Sequence, residues 1–332
     1  MSCRPLSNRM LDLYQGAACD RVERTPRRVI LAGLAGLAAA FTTRASGAQT
    51  VGEAAPVTVG PDYLSPYSLA FSIDTTLLNT GFDRAPWNDP DAEAAESVPA
   101  WETAYRGARG AAWGPPARQY PQPTLARQDE DYRRQRVISV AARHIGLPYQ
   151  HHHVPSWGPP AGWPWLPVEA GSNGPGLDCS NFVSFAYNYA LGLKLPTGIA
   201  LQGHTVDLPG PGDVGVLRAR RIDVRRYDDL RAVLAPADLL YIRNRQDRVS
   251  HVVMWLGVVG QSPTATPLIL DCTQTLHRDA SGATIPIGVR LRPFREDGWY
   301  WRRFSHAHRL IGAEVVMRPG TVDPLPEGDD QA

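Results

Sequence analysis

The chain predicts an α+β fold, helices first and an antiparallel sheet after them. Two observations carry this expectation. Apolar residues recur at helical spacing around 132–145 and again from 177 to 191. Beyond residue 235 the period shortens: PADLLYI, HVVMWLGVV, PLILDCT, IGVRLRPF and WYWRRFSHAHRLI are β-rich runs separated by turn signals. Short consecutive links between such runs favour antiparallel pairing.

At 332 residues and 43% hydrophobic content the chain has room for one large or two modest domains around a true core. Net charge is +1, and the arginines are scattered among acids, so nothing suggests a nucleic-acid partner. Lys194 is the sole lysine, a bias from which no function is drawn.

Residues 1–48 read as an export signal. Arg27 and Arg28 precede VILAGLAGLAAAF, and Arg44 stands before the small residues that lead to a cleavage point after Ala48. Paired arginines with a weakly apolar core are similar to a twin-arginine signal; a Sec-type signal is the alternative. The uncharged run from Val29 to Thr43 is shorter than the ~20 residues of a membrane-spanning helix. The expectation is an exported protein of the periplasm or cell envelope, without a stable membrane span after cleavage. Losing the signal removes Cys3 and Cys19 and leaves Cys179 and Cys272, too few for a disulfide scaffold.

Residues 49–123 form a Pro/Trp-rich extension that either wraps over a domain or stays mobile, with YSLAFSIDTTLL as one strand or helix. Thr124 is placed to cap a helix whose inner face carries Tyr132, Ile138, Ala141, Ala142 and Ile145, with Gly146 as its stop. A long Pro/Gly loop follows. The helix from Cys179 sends Phe182, Val183, Phe185, Ala186 and Tyr189 inward and stops near Gly192. Between Pro196 and Pro236 the chain reads as loop with a short helix around YDDLRAVL, and residues 314–332 read as a disordered tail.

The chemistry begins at Cys179. A cysteine in the first turn of a helix has unpaired N–H groups and the positive dipole end beside it, and both favour the thiolate. Asp178 and Ser180 on either side make a purely apolar burial site unnatural. His251 opens a run whose alternation puts His251, Val253 and Trp255 on one face and Val252, Met254 and Leu256 on the other. Asp271 ends the next apolar strand, from which a carboxylate can orient the imidazole. Cys272 then faces the opposite side, so a bridge to Cys179 is geometrically awkward.

The set GLPY (Gly146 to Tyr149), DCS (Asp178 to Ser180), ADLLY (Ala237 to Tyr241), SHVVMWLG (Ser250 to Gly257) and RRFSHAHRL resembles the NlpC family of papain-like bacterial cell-wall cysteine peptidases, over roughly Arg133 to Ile311. The resemblance implies a papain-like catalytic domain over 124–313. It also implies hydrolysis of peptidoglycan stem peptides through a thioester, with no metal and no cofactor. Cys179 would be the nucleophile, His251 the base and Asp271 the third polar residue. Tyr149 would lie near the nucleophile and help polarise the scissile carbonyl, the Cys179 N–H would supply an oxyanion donor, and Asp178 and Ser180 would contact substrate and shape the helix start.

The chain also departs from the family pattern. Leu195, Pro196, Thr197 and Gly198 stand where members that trim free stem peptides carry Pro-Arg-Asp, so intact or cross-linked wall is the better expectation. Asn181 replaces the usual glycine, and the loop between Tyr149 and Asp178 is a long insertion. In that loop His151 and His153 project to one side of an extended chain, but no acid or cysteine accompanies them at ligand spacing, which favours a polar loop over a zinc site. Trp157, Trp163 and Trp165 either stack on substrate or pin the loop to the domain, and the surrounding prolines favour pinning. An amidase or acyl transferase with a non-wall substrate, and a peptidoglycan-binding protein without activity, are the rival readings.

Overall fold

In the computed structural model, which describes residues 63–82, 93–95, 97, 114–158, 174–210 and 215–316, an aspartate opens the first long helix. The elements run β1 (Ser68–Leu69), α1 (Thr75–Leu78), α2 (Glu130–Ala142), α3 (Cys179–Leu191), α4 (Ile199–His204), β2 (Asp207–Pro209), β3 (Val216–Ile222), α5 (Leu230–Val233), β4 (Leu239–Arg243), β5 (Val249–Trp255), β6 (Gly260–Gln261), β7 (Leu268–Thr273), β8 (His277–Arg278), β9 (Thr284–Ile285), β10 (Gly288–Pro293), α6 (Trp299–Arg302) and β11 (Phe304–Val316). The export signal expected at 1–48, Trp163 and Trp165, and tail residues 317–332 lie outside the described residues.

Seven strands form one sheet in the order β10-β7-β5-β4-β11-β3-β2, every neighbouring pair antiparallel. The fold is thus a mixture of helices and antiparallel sheet. Helices α2 and α3 pack on one face, where Val137, Ile138, Phe182 and Val183 meet Val252, Met254, Leu270 and Cys272. On the other face Val253, Trp255 and Ile269 meet Phe294 and Tyr300. The period-two alternation of β5 is therefore realised as read, with one set of side chains under the helices and the other beneath α6.

Five local expectations are corrected. Helix α2 is capped by Asp129, whose carboxylate accepts the Tyr132 N–H at 2.9 Å, and not by Thr124. Ile145 lies past the helix end and is 41% exposed. The stretch between Pro196 and Pro236 is more than loop and short helix, because α4, β2 and β3 fall within it. In VLRARRI the inward Leu217 and Ala219 alternate with outward Arg218 and Arg220, so the strand's charge hides a half-buried element. Residues WYWR form the single turn α6, and only from Phe304 does the chain become strand. That strand runs to Val316, so residues 314–316 are sheet.

The described parts of the extension wrap over the domain. Gln135 accepts the Ser72 and Ile73 N–H groups, Tyr132 Oη donates to Leu77 O, and Arg136 Nη1 donates to Leu78 O at 2.9 Å and Thr80 O at 2.7 Å. Farther along, Asn188 takes the Tyr120 N–H and donates to Arg118 O, while Lys194 Nζ donates to Ala117 O at 2.6 Å. Both strand and helix form in YSLAFSIDTTLL, as β1 and α1.

Candidate active site

Asp178 builds the start of α3. One of its oxygens accepts the Asn181 N–H at 2.9 Å and the other the Asn181 Nδ2–H at 2.8 Å, which ends the orphan status of a first-turn donor. Asn181, at the position of the expected glycine, thus closes a box around the cap. Ser180 Oγ donates to Thr197 O at 2.5 Å. Both Asp178 and Ser180 are buried and spend their polar atoms inside the protein.

Cys179 is the first residue of α3, so its own N–H has no acceptor within the helix. It is 5% exposed, and the His251 ring beside it is 8% exposed. The pair therefore meets solvent through a narrow edge. Helix α3 rests on β5 and β7, and β5 bulges at Ser250, the residue before His251, where the adjacent Ile242 and Arg243 of β4 pair with His251 and Val249.

Asp271 reaches the same ring. His251 Nε2 stands 2.8 Å from Asp271 Oδ1, a close ion pair. With Nε2 directed to the carboxylate, Nδ1 is the nitrogen left for the thiol. Burial alone would lower the imidazole pKa, but the Asp271 charge, then the interaction with Cys179, and hydrogen bonding to both push it up to about 10. Burial alone would raise the Asp271 pKa; the His251 charge and hydrogen bond, Arg292 and the Tyr300 hydroxyl outweigh it and hold the carboxyl below its usual range.

Tyr300 and Arg292 are the residues that sequence reasoning missed. Tyr300 Oη donates to Asp271 Oδ2, and Arg292 Nε lies 3.4 Å from the same oxygen. His277 stacks on Tyr300 at 4.8 Å and places Nε2 3.1 Å from its hydroxyl, so it reaches Asp271 only through that phenol. A signal existed for Arg292: an arginine in an otherwise buried strand needs a carboxylate or carbonyl cluster, and GVRLRP is buried at every position. Tyr300 had none, since its run was read as extended.

Tyr149 lies close to the nucleophile. Burial, followed by the charges of Cys179 and Asp178, raises its phenol above the usual range and keeps it protonated. Cys272 faces away from Asp271, as alternation requires, and donates its thiol to Leu177 O at 2.8 Å; both cysteines are free. His151 Nδ1 lies 3.5 Å from Asp178 Oδ2. His152 is buried edge-on to Trp157 at 4.7 Å, and burial pushes its pKa down to about 3. Trp157 is itself buried with Val154 and Phe185, so this tryptophan pins the loop. Among the described residues no group of three His, Cys, Asp or Glu side chains is placed to hold a metal ion. Nor, among them, is any helix long and apolar enough to cross a membrane.

No family model matches the chain, and no curated protein does. Among solved structures, an NlpC/P60 family protein from Bacillus cereus is similar at 18% identity, with a TM-score of 0.32. The match covers 57% of this chain and 41% of that one, so the chain spans less than half of that protein's length.

Proposed function

We propose that the protein is an exported cysteine hydrolase of papain-like architecture that cuts the peptide stems of peptidoglycan. The observation that carries the reading is the convergence of Cys179, His251 and Asp271, which come from a helix start and two different strands. His251, kept protonated by its raised pKa, faces the Cys179 sulfur, which attacks the scissile carbonyl carbon as the thiolate. The Cys179 N–H and the Tyr149 hydroxyl hold the oxyanion. The imidazolium then protonates the departing amine as the C–N bond breaks, leaving a thioester. Water, deprotonated by His251, opens the thioester, releases the carboxylate product and restores the imidazolium beside the sulfur anion. Asp271 keeps Nε2 engaged and compensates the imidazolium charge throughout.

The deciding experiment digests purified wall with wild type and Cys179→Ala side by side, reading released muropeptides by mass spectrometry and the fold by circular dichroism. Turnover should vanish in the variant while the spectrum stays unchanged. Wall cleavage that persists without the sulfur would end the proposal. Products that point to amide hydrolysis or acyl transfer on another substrate would redirect it. Export is read from residues 1–48, and a mature chain beginning at Gln49 in the envelope fraction is the expected product.

A further inference from the structure

A cationic cavity of about 330 Å³ lies among α4, β3, β4 and the starts of β5 and β11. Its walls include Arg221 of β3, Arg243 of β4, Arg248 of the turn that follows, and His204 of α4, against the single carboxylate of Asp247. Arg243 is occupied, donating Nε to Ser305 Oγ at 3.0 Å and standing 3.3 Å from Asp247. Arg221 leans toward Asp223, 3.3 Å away and outside the cavity lining. Arg248 forms no ion pair among the described residues and is exposed. The cavity therefore holds an uncompensated guanidinium beside two partly compensated ones. Its positive field also acts on a neighbouring wall residue: burial first, then the charge of Arg221, depresses the His306 pKa to about 4.

Two elements tie this cavity to the reacting groups. Gln202, between the wall residues Ala200 and His204, donates to Ser180 O at 3.2 Å and Pro196 O at 2.7 Å, so α4 is fastened to the residue next to Cys179. Val249, another wall residue, stands two positions before His251 on β5, about 7 Å along a strand. An extended peptide advances roughly 3.3–3.6 Å per residue. A substrate whose carbonyl sits on the sulfur thus brings a group two or three residues away to the arginines.

We infer that the cavity is a substrate subsite for a carboxylate carried by the stem peptide. A planar carboxylate matches the guanidinium fork, and such charge-assisted bonds are stronger than neutral ones. The inference rests on the hydrolase reading for its substrate, so its test reads binding in place of turnover. The probes are a stem tetrapeptide with free carboxyl groups and the same peptide with those groups amidated, each titrated by calorimetry into Cys179→Ala at low and high salt. The free acid should bind about tenfold more tightly than the amide, with a preference that shrinks as salt rises. In the Cys179→Ala, Arg248→Gln variant the preference should fall to near unity while affinity for the amide stays as before. Equal binding of both peptides, no binding of either, or a preference untouched by Arg248→Gln and by the Arg221→Gln, Arg248→Gln pair would overturn the subsite. If wild type fails to cut wall yet the preference holds, the hydrolase reading fails and the carboxylate site stands.

Discussion

At the scale of single residues, Asp271 is the hub of the site. It meets an imidazole, a guanidinium and a phenol, and all three are buried. Replacing it by asparagine leaves His251 and Arg292 without their counter-charge, a change that costs on the order of 3 kcal/mol when a buried pair loses one partner. The sign with pH follows from the shifts. His251 moves from 6.5 to about 10, so its contribution is complete below 6.5 and is lost as pH rises through 10. The carboxyl moves below 3.8, so its contribution is present above that value and is lost in stronger acid. Urea unfolding of wild type and Asp271→Asn across pH should show the largest gap between 3.8 and 6.5 and a shrinking gap toward pH 10. A gap that does not change with pH would mean that no ion pair forms. Tyr300→Phe removes one hydrogen bond to a charged acceptor and is expected to cost about 1.5–3 kcal/mol in the same assay. The placement of Cys179 at a helix start and of His251 and Asp271 on strands was legible in the sequence, because a helix cap and strand alternation fix where such side chains stand. Arg292 and Tyr300 were not singled out, since their roles depend on strand register and on a one-turn helix that no local pattern announces.

At the scale of elements, α3 is the part of the fold that reads most completely from the chain. Its start is set by Asp178 and its end by Gly192, which adopts φ 67° in the left-handed region and lies against the backbone of Gln122, where an added Cβ would come within 2.7 Å of the amide nitrogen. Gly192→Ala should therefore destabilise the protein by more than the ~1 kcal/mol of an ordinary cap glycine. Denaturant midpoints measure it, and a neutral result would show that segment 121–122 can move away freely. The strands β4, β5, β7 and β10 were legible because buried runs of branched residues leave little alternative. The outer strands β2 and β3 were not, because one solvated face filled with arginine and a nearby proline imitates a loop. Helix α2 was found but its start was displaced, since several polar residues before Glu130 can serve as caps and tertiary contacts select among them.

At the scale of the whole molecule, the extension is built into the described domain. Three side chains of α2 (Tyr132, Gln135 and Arg136) satisfy the backbone of 72–80, and Tyr67 Oη accepts the Ala280 N–H from the turn between β8 and β9. Deleting residues 63–82 would strip Arg136 of two carbonyl partners and uncover Tyr132, so the unfolding temperature should fall by several degrees. Calorimetry of the shortened chain checks this, and an unchanged midpoint would make the segment dispensable for stability. A practical consequence follows from the only lysine. Lys194 is half-buried and its ammonium is bound to Ala117 O, which closes segment 114–123 over it. Among side chains, acylating reagents aimed at amines will therefore modify this one alone, slowly while Ala117 O holds its ammonium and faster when segment 114–123 lifts, which makes its labelling rate a gauge of that opening.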